Sequence, residues 1–438
     1  MTERPAKNLL DPNLHRDSCG FGLIANLDDL PSHQVVATAI EALARLTHRG
    51  AVAADGKTGD GCGLLIKFPE TFLRAVGKDL GFTLAKRFAA GTVFLSRDKA
   101  TGDAARATIT QAIGEFGLEV AGWREVPVDT SACGEQALAT LPKIEQVFVN
   151  SPDYMPRGSF NRKLFLARRR AETRVVDDET YVASLSSATI SYKGMIMPTA
   201  LPVFFPDLRD PRMESSVCVF HQRFSTNTLP QWKLAQPFRF LAHNGEINTI
   251  QGNRNWAIAR SKNFVSEKLD DISDLDPIVS MSGSDSSSLD NMLEVLRAGG
   301  MDVLQAMRIL IPPAWQPVGD IDPDVRAFYE FWDGQQEPWD GPAGIVLTDG
   351  HYAACCLDRN GLRPARYVIT KDRHITIASE VGVYDYDEHD VVEKGRLGPG
   401  EMLAVDLVNG VVLNTDDIHD VLKSRAPYKK WLKRGVRY

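Results

Sequence analysis

The sequence predicts an α+β fold, built from layers of helices and mostly antiparallel strands. Strand-like and helical stretches are interleaved along the 438 residues, and many of the strands are joined by short hairpin turns. A parallel sheet would need long crossovers instead. The composition, 43% hydrophobic and 24% charged, is that of a folded chain with ample core.

The first strand opens at Cys19 in "HRDSCGFGLIANL", where a polar lead-in turns into an apolar run ending at Leu27. In "SHQVVATAIEALARLTH", Val36, Ala39, Ile40 and Leu43 recur at helical spacing behind Ser32, which predicts a helix capped by that serine. The glycine- and aspartate-rich "HRGAVAADGKTGDGCG" predicts a loop, and "LLIKF" a return to strand. From Phe82 to Leu201, helical and strand-like pieces alternate without a motif tied to chemistry and read as scaffold. "SVCVFHQRF" and "FRFLAHNGEI" are strands that end in polar residues, where functional side chains often sit. "SDSSSLDNMLEVL" places Leu289, Met292, Leu293 and Leu296 on one helical face, with Ser287 and Asp290 spaced as a capping box and Asp285 just ahead of the helix. Between Gly344 and Leu413 the pattern is of hairpins turning at Asp-Gly, Lys-Asp and Asn-Gly. Cys355 and Cys356 read as core residues. The markedly basic "LKSRAPYKKWLKRGVRY" reads as a linker or as a solvated terminal helix.

Several function classes are disfavoured. A net charge of -7 supplies no basic field for nucleic acid. No stretch of about eighteen uncharged apolar residues offers a membrane span, and "MTERPAKNLLDPNLHRDS" lacks the apolar segment of a signal peptide, so a cytoplasmic location is expected. The six cysteines form no CxxC pair and have no matching histidine spacing, which predicts free thiols and no metal site. Gly20, Gly22 and Ala25 match a dinucleotide fingerprint as letters, but polar residues precede them and strand follows, the reverse of what that motif requires. "TGDGCG" lacks the Lys-Ser/Thr pair of a phosphate-binding loop.

Four segments carry chemistry when taken together: Cys19 at a strand start, Arg223 in "HQRFSTNT", Asn244 with Gly245 in "HNGEIN", and Asp285 in "GSDSSS". Singly, these are a surface arginine, a turn and a helix cap. Jointly they suit an amino acid bearing a side-chain amide. Arg223 can grip the carboxylate through paired hydrogen bonds, and Asp285 can pair with the ammonium. Attack on the amide creates an oxyanion, which the Asn244 side chain and the Gly245 N–H can stabilise, each donor contributing about 2.7 to 4 kcal/mol. A cysteine with a pKa of about 8.5 needs a base to attack at neutral pH. No Cys-His arrangement is evident, but cleavage after Ser18 would free the Cys19 α-amine, whose pKa of about 7.7 to 8.0 suits the task. Residues 1–18 are then a propeptide.

The chain resembles class II glutamine amidotransferases of the N-terminal-nucleophile hydrolase group, in particular the glutaminase domain of bacterial glutamate synthase large subunits. The resemblance rests on "CGFGLIA", "THRGAVAADGKTGDGCGLLI", "FHQRFSTNTLPQWKLAQPFRFLAHNGEINTIQGNRNW", "GSDSSSLDNMLE", "PPAWQ", "EPWDGPAGIVLTDG" and "LDRNGLRPARY". It implies a four-layer αββα sandwich over residues 19–422, with 423–438 leading towards an absent synthase region. It also implies L-glutamine as substrate, a Cys19 thioester, Arg223 and Asp285 as glutamine ligands, Thr226 at the substrate carboxylate, and Asn244 and Gly245 as the oxyanion hole. His48, Arg49 and Asp60 fall in a segment near the glutamine entrance, and Cys62 stands where many relatives have alanine, a second thiol that could compete in labelling. In the family, ammonia passes through a tunnel to a region with FMN and an iron–sulfur cluster, where 2-oxoglutarate is aminated with NADPH or ferredoxin as reductant and a small reductase subunit as partner. No cofactor is expected in this chain. The alternatives are an amidotransferase serving another ammonia acceptor, and a non-catalytic glutamine-binding module that keeps its first eighteen residues.

Overall fold

The computed structural model describes residues 19–223, 230–262, 264–269, 275–316 and 319–435. Two antiparallel sheets lie face to face. The larger has seven strands in the order β14 (Val391–Arg396), β12 (Arg366–Thr370), β13 (His374–Ala378), β1 (Gly20–Asn26), β8 (Val217–Gln222), β2 (Cys62–Lys67) and β7 (Thr189–Gly194). The smaller has five: β16 (Val411–Leu413), β15 (Met402–Asp406), β11 (Tyr352–Leu357), β10 (Ala343–Thr348) and β9 (Leu241–Gly245).

Alternation along each strand decides the layering. Phe21, Leu23 and Ala25 of β1 meet Ala242, Val346, Cys355 and Val405 of the facing sheet in one apolar layer. Ile24, Leu64 and Phe220 point the other way, onto Val35, Val36, Ala39 and Leu43 of the helix His33–Arg45. Leu241, Ile345, Leu347 and Cys356 likewise face the helices Asp285–Ala298, Val303–Leu310 and Pro323–Asp333. The result is the four-layer αββα sandwich. Ser32 caps its helix, its side chain accepting from the Val35 N–H, and the hairpins turn at Asp349-Gly350, Lys371-Asp372 and Asn409-Gly410.

The stretch read as scaffold contains a third sheet, in the order β4 (Glu119–Glu125), β5 (Lys143–Asn150), β3 (Phe88–Leu95) and β6 (Tyr181–Val182). It packs on the helices Lys99–Glu115 and Arg157–Arg174. The basic chain end carries a helix, Tyr428–Gly435, whose buried Tyr428 sits edge-on to Phe328.

The glycines of β1 serve packing. A Cβ at Gly22 would stand 2.4 Å from the Phe220 ring and 2.7 Å from the Ile377 carbonyl oxygen. Leu23 is fully buried between the sheets, so L23A should cost about 2 to 5 kcal/mol, read as a lower midpoint in chemical denaturation with an unchanged slope.

Candidate active site

The site forms where the ends of β1, β8 and β9 meet the start of the helix Asp285–Ala298. Cys19 immediately precedes β1, and Gly20 pairs with Gln222, the last residue of β8. Arg223 therefore leaves its strand beside the cysteine. Its backbone is in the left-handed region at φ 87°, a strained conformation for a side-chain-bearing residue. Its N–H donates to the Gly61 carbonyl at 2.7 Å, and its Nε lies 3.4 Å from Asp60 Oδ2. Asp60 in turn accepts from the Ala51 N–H at 3.0 Å, which ties the glycine-rich loop to the site.

Asn244 comes from the opposite sheet. Its Nδ2 donates to the Cys19 carbonyl at 2.8 Å. The preceding residue is clamped: Gln236 Oε1 accepts from the His243 N–H at 2.8 Å, and its Nε2 donates to the His243 carbonyl at 3.2 Å. Gly245 has φ 142°, and a Cβ there would lie 1.7 Å from the Pro342 carbonyl oxygen. Only glycine fits that position.

Asp285 is buried in the first turn of its helix. It accepts from the Ile247 N–H at 2.9 Å and the Ser286 N–H at 2.7 Å, and the helix N-terminus favours its negative charge. The expected capping box is displaced: Ser284 is the cap, accepting from the Ser287 N–H at 3.1 Å, so Asp285 is the first helical residue instead of lying ahead of the helix. Asp290 instead accepts the backbone N–H groups of Arg239, Phe240 and Leu241, which anchors the entry to β9. A buried histidine network completes the floor. His243 Nδ1 is 2.8 Å from Ser286 Oγ and 3.9 Å from Asp285 Oδ2, and burial lowers the pKa of His243 and takes that of His221 down to about 3.

Burial pushes the Cys19 thiol up to about 12; Arg223 and Arg363 oppose this, while Asp60 and Asp285 add to it. Burial thus favours the protonated thiol at neutral pH. Cys62, expected to compete in labelling, is fully buried in β2, and burial raises its thiol well above the ordinary value. No disulfide joins the six cysteines, all of which lie among the described residues.

The structure thus brings Cys19, Arg223, Asn244, Gly245 and Asp285 together. Thr226 lies outside the described residues. His48 and Arg49 both reach Glu380, Arg49 through a paired contact at 2.8 and 2.9 Å, and so pin the loop that carries Asp60. Sequence reasoning missed Glu380, Gln236 and Arg363. Arg363 stands in the quoted "LDRNGLRPARY", yet a lone arginine carries no signal until its neighbours are known.

The chain belongs to the class-II glutamine amidotransferases: the family model matches residues 19–431 and so begins at Cys19. Among curated proteins it is similar to the glutamate synthase [NADPH] large chain of Bacillus subtilis (strain 168), 41% identical over 98% of this chain and 29% of that one. The ferredoxin-dependent glutamate synthase 1 of Arabidopsis thaliana is 42% identical over 98% of this chain and 27% of its own length. The glutamate synthase [NADPH] large chain of Azospirillum brasilense is 41% identical over 97% and 28%. The chain spans less than a third of the length of these relatives. No helix among the described residues is long and apolar enough to cross a membrane.

G245A should lose about 1 to 3 kcal/mol of stability, whereas G252A, in a helix where nothing lies within 4 Å of an added Cβ, should keep or raise the melting temperature. Calorimetry on the pair separates backbone strain from a general intolerance of glycine replacement.

Proposed function

We propose that this chain is the glutaminase part of a glutamate synthase: it hydrolyses L-glutamine to L-glutamate and ammonia through a thioester on Cys19. The observation that carries the reading is the 2.8 Å bond from Asn244 Nδ2 to the Cys19 carbonyl. It sets an oxyanion donor beside the thiol, at a site where Arg223 and Asp285 offer opposite charges to the two ends of an amino acid. The names of the relatives support the wider assignment.

Cleavage after Ser18 makes Cys19 the first residue and frees its amine, and the start of the family match at residue 19 agrees with this. Arg223 holds the glutamine carboxylate, with Thr226 assisting, and Asp285 holds the ammonium. Sγ forms a bond to the side-chain carbonyl carbon as its proton passes to the Cys19 amine. Asn244 and Gly245 take the charge that develops on oxygen. Collapse expels ammonia carrying the proton from the amine, and water then hydrolyses the thioester to restore the thiol.

Ammonia then serves the amination of 2-oxoglutarate in a synthase region working with a small reductase subunit. FMN and an iron–sulfur cluster belong to that region. The cysteines here do not fit a cluster, since they are buried and dispersed over separate strands and loops, apart from adjacent Cys355 and Cys356, whose side chains face opposite sides of β11.

Three outcomes are expected. Intact mass of an active preparation should begin at Cys19, and a glutamine-analogue electrophile should add there; full activity with residues 1–18 retained would sink the mechanism. N244A should lower kcat about 10²- to 10³-fold with little change in melting temperature. Because only the neutral amine accepts a proton, kcat/KM should be high above the amine pKa of about 7.7 to 8.0 and fall as pH drops below it.

A further inference from the structure

Arg363 lies in the loop that joins β11 to β12, and both ends of that loop are tied down. Asp358 accepts from the Ala343 N–H through its side chain and donates its own N–H to the Ala343 carbonyl, both at 2.9 Å. Ala365 accepts from the Leu397 N–H at 3.0 Å. The loop sets Arg363 over Gly344, where an added Cβ would meet Arg363 Cβ at 3.2 Å and the Phe21 ring at 3.0 Å. Gly344 is the residue directly opposite Asn244 in the β9–β10 pairing. Arg363 is thus placed across from the Asn244 side chain that touches Cys19. Its Nε is buried and has no hydrogen-bond partner among the described residues.

Four charged groups act electrostatically on Cys19: Arg223 from the end of β8, Asp60 from the loop before β2, Asp285 from its helix, and Arg363. His221 and His243 stand nearby, buried and neutral, and Glu246 acts on His243 from the end of β9. Arg223 and Asp60 lie 3.4 Å apart and offset one another. In the proposed function Arg223 and Asp285 are also taken up by the two ends of glutamine. Arg363 is the remaining charge in this set.

We propose that Arg363 is a positioning residue for catalysis: its side chain, rooted over Gly344 opposite Asn244 and buried at Nε, keeps the liberated Cys19 amine in its neutral, proton-accepting form. A fixed cation disfavours a second positive charge on the neighbouring ammonium and favours negative charge on the sulfur of the same residue. The first effect keeps the amine unprotonated and ready at neutral pH, and the second favours loss of the thiol proton. Consistent with this, Arg363 draws the buried thiol and the His243 ring towards lower pKa.

This inference rests on the Cys19 amine acting as base. Its test uses the processed full chain, with the N-terminus at Cys19 verified by intact mass, and measures kcat/KM for glutamine against pH. Alongside this, the rate of Cys19 alkylation by iodoacetamide is followed against pH, which does not require turnover. In R363Q and R363M the acid limb of both profiles should move to higher pH by about 0.5 to 1 pH unit, and R363K should bring it back. R363Q keeps a polar head for the loop should the apolar variant fail to fold. An acid limb that stays in place in R363Q, whatever happens to kcat, overturns the role of Arg363. A wild-type profile without an acid limb near the amine pKa overturns the amine as base instead, so the two failures are distinguishable.

Discussion

Strand β1 is hydrogen-bonded to a neighbour on each side and buried on both faces. Its register therefore cannot slip by one residue without exchanging Phe21, Leu23 and Ala25 for Gly20, Gly22 and Ile24 in the layer between the sheets. That exchange would empty the inter-sheet core and drive phenylalanine and leucine into a helix face shaped for glycine. The pairing of Gly20 with Gln222 follows from this constraint, and with it the placement of Cys19 beside Arg223. Every other part of the site is built outward from that pair.

The facing sheet contributes the second half, and it does so through backbone strain and clamping. Gln236 holds both sides of the His243 peptide, which aims the next residue, Asn244, across the gap to the Cys19 carbonyl. Gly245 then turns sharply beneath the Pro342 carbonyl. Asp285 is held by two backbone N–H groups within hydrogen-bond distance of its carboxylate. These groups are held in place by hydrogen bonds from several separate segments. Burial acts on the Cys19 thiol by favouring its protonated form. Arg223 and Arg363 oppose that effect without exposing the sulfur to water.

Hairpins and helix caps were legible in the sequence because they are local: Asn409-Gly410 and Asp349-Gly350 turn by their own backbone preferences, and Ser32 caps through a neighbour three residues away. The serine run around Asp285 shows the limit of that logic. Several residues there could cap, and Ser284 does so while Arg254 binds the Gly283 and Ser284 carbonyls from another helix. The third sheet was read only as alternating pieces, since its four strands carry no chemistry by which to order them. Glu380 and Arg363 were invisible as site residues because each acts through partners far away along the chain, Arg49 and Cys19.

From its residue types alone, the sequence determined the α+β class, the hairpins, and which charged, amide and thiol groups were available to a site. It could do so because chemical type and local periodicity are written in the chain itself. Tertiary structure alone decided that Cys19, Arg223, Asn244, Gly245 and Asp285 share one site, that Asp285 begins a helix, and that Asp60 and Arg363 act electrostatically on the thiol. Those facts depend on which strands pair, which faces are buried and which serine caps, choices made by contacts between separate segments, such as Arg254 with Ser284 and Asn244 with Cys19.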